Sequence, residues 1–129
     1  MKAHSDLVEA AMKAKTNAYA PYSVYSVGAA VLADDGRIFA GCNVENASYG
    51  LTVCAERNAV AAMIFAGGDN IIAVAVVTKD GARPCGACLQ VLAEFAASDG
   101  VDVLCVDQGG KTESLKLTDL LPHAFNLKK

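Results

Sequence analysis

Two hydropathy patterns alternate along the 129-residue chain: continuous apolar runs of strand length, and longer stretches with helical spacing. The longest run, IIAVAVV at 71–77, is rich in β-branched residues and reads as a strand buried on both faces of an α/β sheet. VDVLCV at 101–106 repeats that pattern. Upstream, VGAAVLA (27–33) and RIFAGCN (37–43) flank the turn Asp34-Asp35-Gly36 and predict a β-hairpin. Helical spacing marks three other stretches. Leu7, Ala10, Ala11, Ala14 and Ala18 form one apolar face over about 6–18, with Ser5 placed to cap it and Ala20-Pro21-Tyr22-Ser23 to end it. CAERNAVAAMIFA (54–66) consists largely of strong helix formers and stops at Gly67-Gly68, and CGACLQVLAEFAA (85–97) predicts another helix. VENASYGLTV (44–53) reads as a loop, 111–117 as a short strand and TDLLPHAF (118–125) as a terminal turn or short helix. The order α-β-β-α-β-α-β-β predicts a three-layer α/β/α domain built on a mixed sheet of about five strands.

Composition narrows the class without changing the fold. The length suits one domain over 1–129, and 53% hydrophobic with 19% charged residues excludes a disordered chain. No apolar run is long enough for a membrane helix, and MKAHSDLVEA lacks the apolar middle of a signal peptide, so a cytoplasmic protein is expected. The net charge is −3 and the 11 Lys and Arg residues are scattered, which argues against a nucleic-acid partner. Five cysteines, an odd number without a secretory signal, point to free thiols or metal ligands rather than a disulfide framework.

Cys85 and Cys88 alone fit a redox pair, a metal site or an incidental pair of thiols. Cys54 changes the balance. In CAERN, Cys54 and Glu56 would point about 200° apart in mid-helix, but at a helix's first turn both can lean over its open end. If the two helix starts face each other, Cys54, Cys85 and Cys88 surround one ion. Three thiolates suit zinc, and three protein ligands with one open position define a catalytic site. Arg57, back on the side of Cys54, would offset the excess thiolate charge by hydrogen bonding to sulfur. Glu56, beside water at the open position, becomes the candidate proton shuttle.

The blocks PYSVYSVGAA (21–30), GCNVENASYGLTVCAERNA (41–59), PCGACLQVLAEF (84–95) and LLPHAF (120–125) resemble the small homotetrameric cytidine deaminases over nearly the whole chain. The resemblance implies one zinc per chain on Cys54, Cys85 and Cys88, a zinc-activated water, and Glu56 as the proton carrier that is not a ligand. It further implies a cytidine-deaminase-like fold, and hydrolysis of cytidine and deoxycytidine to the uridines and ammonia in pyrimidine salvage. Asn43 and Glu45 match the pair that holds the ribose; a carboxylate there suits a neutral hydroxyl and would repel a phosphate. Tyr25 stands where the family usually has a phenylalanine packed near the pyrimidine, and its added hydroxyl needs a partner if buried. Phe125 matches an aromatic that reaches the base from a neighbouring subunit, which implies a homotetramer with active sites at subunit interfaces. Leu89 and His123 depart from the arginine and glycine common at their positions.

Three other functions compete with this one. A related zinc deaminase would act on blasticidin S. A structural zinc domain would close the site with a fourth ligand such as Cys42 and leave Glu56 idle. A redox pair would use Cys85 and Cys88 without metal. Cys42 and Cys105, in predicted strands, are otherwise read as small buried thiols.

Overall fold

The computed structural model describes residues 2–127. Its elements are α1 (Lys2–Lys15), β1 (Gly28–Ala33), β2 (Ile38–Cys42), a 3-10 turn (Tyr49–Leu51), α2 (Ala55–Phe65), β3 (Ile71–Val77), α3 (Gly86–Glu94), β4 (Asp102–Val106), β5 (Thr112–Lys116) and α4 (Leu117–Leu120). The strands form one mixed sheet in the order β2-β1-β3-β4-β5. β3 and β4 run parallel, joined through α3 by the crossover that a parallel pair requires, and the other neighbours are antiparallel.

Alternation along the strands divides the core into two layers. Val31, Val74, Val76 and Val103 face Ala59, Met63 and Leu92 of α2 and α3. Ala30, Leu32, Ala75, Val77 and Leu104 face Leu7 and Ala11 of α1. This is the expected α/β/α architecture. Each fully buried Val or Leu contributes about 1.5–3 kcal/mol relative to exposure.

Two glycines let the helices lie directly on the hairpin. A Cβ at Gly28 would sit 2.0 Å from the Ala11 carbonyl oxygen in α1. One at Gly41 would sit 2.5 Å from the Ala59 nitrogen in α2. Asn58 reinforces the second approach by donating its side-chain amide to the Cys42 carbonyl at 2.8 Å. The first turn of α2 therefore rests at the end of β2. The register, with Gly28 opposite both Cys42 and Val77, brings Val27, Asn43 and Thr78 to that same edge of the sheet.

Two helices differ from expectation in their extent. α1 begins at Lys2, so Ser5 lies inside it rather than capping it, and it ends at Lys15. The Thr16 hydroxyl donates back to the Lys13 carbonyl at 2.7 Å, and the amides of Asn17 and Ala18 close further turns. α3 ends at Glu94, short of 97. Its continuation is diverted into the sheet: the Ile71 amide donates to the Phe95 carbonyl at 2.7 Å and the Ala97 amide to the Ile71 carbonyl at 2.8 Å. The 44–53 stretch is a loop with tied ends, because Val44 and Val53 exchange backbone hydrogen bonds of 2.9 and 3.0 Å. That tie places Cys54 close to Asn43.

Candidate metal centre

Cys54 and Cys85 each occupy the residue before a helix, in extended backbone, and neither side chain caps its helix. Ser, Thr, Asp or Asn is usual there, because its oxygen satisfies a free helix amide. A thiol forgoes that bond and is free to point outward. Cys88, fully buried in the first turn of α3, supplies the third sulfur. The three Sγ atoms all lie within 4.8 Å of one another, and those of Cys85 and Cys88 are 3.4 Å apart. A tetrahedral zinc with Zn–S near 2.3 Å calls for sulfurs about 3.8 Å apart. Among the described residues these three make up the group of potential metal ligands, and Cys42 is not part of it.

The donor set favours a cation electrostatically. A hydrogen bond from Cys88 and another from Arg57 hold the Cys54 thiol down at about 5. The bond to Cys54, followed by burial, pushes the Cys88 thiol well up. One thiolate thus opposes the next unless positive charge enters, which is what a divalent ion provides. Arg57 supplies part of that charge: its Nη2 donates to Cys54 Sγ at 3.4 Å. Its Nε is buried without a hydrogen-bond partner among the described residues.

Glu56, in the first turn of α2, is only 4% exposed. Burial, then the nearby Cys54 thiolate, raises its carboxyl to about 7. It lines a cleft of roughly 400 Å³ together with Cys54, Cys85, Tyr25, Asn43 and Glu45, within the usual range for small-molecule sites of about 300–1,000 Å³.

Elsewhere in the cleft the wall is tightly braced. The Asn43 side-chain oxygen Oδ1 accepts from the Val27 amide at 2.9 Å, and its Nδ2 donates to the Tyr25 carbonyl at 2.9 Å. Glu45 accepts from the amides of Tyr22 and Ser23 at 3.0 and 3.2 Å and from the Ser23 hydroxyl. These bonds, that of the Ser23 hydroxyl foremost, lower its carboxyl. Val24 lies between these contacts at φ 57, a left-handed conformation that β-branched residues rarely adopt. Ser23 carries no site signature in the sequence. Its one sequence signal is its place in PYSVYSVGAA.

Tyr25, half-buried, also lines the cleft, and its hydroxyl donates to Asp80 at 2.6 Å. Phe125 lies outside the cleft: it is 70% exposed, and its carbonyl accepts from the Gln90 side chain at 2.8 Å. Leu89 packs into the core beside α2, so an apolar contact stands where the resemblance leads one to expect an arginine.

A three-layer α/β/α sheet with a three-cysteine centre at two helix starts and a buried carboxyl beside it defines the zinc-dependent deaminase class. The comparisons then specify it: residues 1–103 match the family model for the cytidine and deoxycytidylate deaminase zinc-binding region. The chain belongs to the cytidine deaminase family. It is 48% identical over 119 residues to a cytidine deaminase of Mycobacterium tuberculosis, covering 91% of this chain and 85% of that protein. Its identity to the cytidine deaminase of Halalkalibacterium halodurans is 45% over 121 residues, covering 92% and 91%. The crystal structure of cytidine deaminase from Burkholderia pseudomallei superposes with a TM-score of 0.88 at 45% identity, covering 95% of this chain and 98% of the other.

Proposed function

We propose that the chain, as one domain over 1–129, hydrolyses cytidine and 2'-deoxycytidine to uridine and 2'-deoxyuridine, releasing ammonia, in cytoplasmic pyrimidine salvage. The observation that carries this reading is the placement of buried Glu56 and two cysteine thiols in one cleft with Asn43 and Glu45. Bound to Cys54, Cys85 and Cys88, zinc supplies a Lewis acid that makes water nucleophilic near neutral pH. Glu56 takes a proton from the attacking water, passes it to N3 of the ring and helps protonate the departing amine. The C–O bond at C4 forms first; the remaining hydroxyl proton then passes through Glu56 to the amine, and the C4–N bond breaks to release ammonia. Arg57 tempers the thiolate charge that would otherwise blunt the metal's acidity.

Asn43 and Glu45 hold the ribose. Glu45, already fixed by Ser23 and Tyr22, presents a preorganised carboxylate to a neutral hydroxyl and repels a phosphate. Tyr25 flanks the base. Among the described residues no helix is long and apolar enough to cross a membrane. The exposure of Phe125 fits a homotetramer in which that ring reaches a neighbouring subunit's cleft.

An ammonia-release assay on cytidine, deoxycytidine, cytidine monophosphate and blasticidin S, run beside zinc quantification, tests the substrate. Turnover is expected with the two nucleosides and about one zinc per chain. Ammonia from blasticidin S with none from cytidine would overturn the reading. For the ribose contact, Glu45→Gln is expected to raise KM for cytidine about tenfold, as loss of a charge-assisted hydrogen bond does, with kcat nearly unchanged. A variant in which kcat falls while KM holds would take Glu45 out of that role.

A further inference from the structure

The Tyr25 hydroxyl is not spent on the cleft. It donates at 2.6 Å to Asp80 Oδ1, in the connection between β3 and α3, 55 residues further along the chain. That connection is itself folded by hydrogen bonds. The Thr78 hydroxyl, buried at the end of β3, donates to the same Asp80 oxygen at 3.2 Å and accepts from the Ala82 amide at 2.9 Å. Gly81 takes the turn at φ 75, and on the outer flank Arg83 pairs with Glu113 at 3.1 Å.

The connection ends at Cys85. The two sulfurs of α3 differ in what fixes them. Cys88 is held within the helix and the core, whereas Cys85 is the exposed residue before it, tied to α3 by its carbonyl, which accepts from the Leu89 amide at 2.9 Å, and reached on its other side by the 78–84 connection. At its other end Tyr25 is fixed to the cleft wall, since its carbonyl accepts from Asn43 and its amide donates to Ser23 Oγ at 3.0 Å. A continuous series of hydrogen bonds therefore joins the wall that holds Glu45 to the loop that delivers Cys85.

We propose that Tyr25 is a positioning residue for the metal ligand Cys85, acting through Asp80, in addition to flanking the base. This rests on the zinc-deaminase reading of the site, but it concerns the metal and not the identity of the nucleoside. The ring could line the cleft without its oxygen; the oxygen's work is to hold the 78–85 connection in register with Cys54. An exposed hydrogen bond with no reach to the metal would affect only overall stability.

The test is the rate of zinc release from the holoenzyme into excess pyridylazo-resorcinol, without nucleoside, for Tyr25→Phe, Asp80→Ala and the double variant, alongside thermal midpoints. Each single variant is expected to release zinc about tenfold faster, as loss of a partner in a metal's outer shell does. The double variant is expected to be no faster than the faster single. Asp80→Asn, which keeps an acceptor oxygen for the tyrosine, is expected to restore most of the slow release. Release from Tyr25→Phe within about twofold of the unaltered protein, or a double variant at the product of the single effects, overturns the proposal. A lowered thermal midpoint with unchanged zinc release does so as well. Inactivity on cytidine with the zinc-release pattern intact would defeat the proposed substrate and leave this inference standing.

Discussion

Glu56→Gln is expected to keep its zinc and lose nearly all turnover on cytidine. Glutamine preserves the shape of the side chain and its place in the first turn of α2, but it can neither accept the water's proton nor release one to the ring. Removing a positioned general acid–base typically costs a factor of about 10²–10⁴, or ~3–5 kcal/mol of barrier. Metal content should not follow, because the candidate ligands are the three thiols and not this carboxyl. Zinc analysis beside single-turnover deamination separates the two effects. Deamination at the unaltered rate would remove Glu56 from the chemistry, and loss of zinc would make it a ligand.

The cysteines divide more sharply still. Cys54→Ala, Cys85→Ala and Cys88→Ala should each bring zinc well below the expected one or so per chain and turnover to background. Cys42→Ala and Cys105→Ala should retain both metal and activity. The division follows from position. Cys54, Cys85 and Cys88 converge at two helix starts, whereas Cys42 ends β2 outside that group and Cys105 is buried in β4 against the core. Full zinc and full rate in Cys54→Ala would end the metal argument. Zinc loss in Cys42→Ala would revive the closed structural site.

Most of the architecture was readable because the strands are apolar runs bounded by turn residues and the helices start at chemically distinctive positions. The five strands, the hairpin and the two ligand-bearing helices follow from such local patterns. The α3 terminus did not, because Ala97 is diverted by a backbone bond to Ile71 in β3, and long-range pairing leaves no mark on the helical period. The three converging cysteines could be read from the spacing of CAERN and PCGACLQ together with general thiolate chemistry, and Asn43 and Glu45, which line the cleft, from resemblance, whereas Phe125, expected from the same resemblance, lies outside it. Ser23, Thr78 and Asp80 could not. Single polar residues in turns have no periodicity, and their partners lie far along the chain or in backbone amides that only the folded structure brings near.

The candidate ligands also come from both halves of the sequence, Cys54 from the start of α2 and the other two from the start of α3, and an unfolded chain scatters them. Metal therefore binds the folded form in strong preference, and its binding energy adds to folding energy. At free zinc a thousandfold above the dissociation constant, this linkage is worth about 4 kcal/mol, a large share of a small domain's net stability. Zinc scarcity would thus shorten the protein's lifetime as well as silence it, tying the amount of enzyme in a cell to its metal supply.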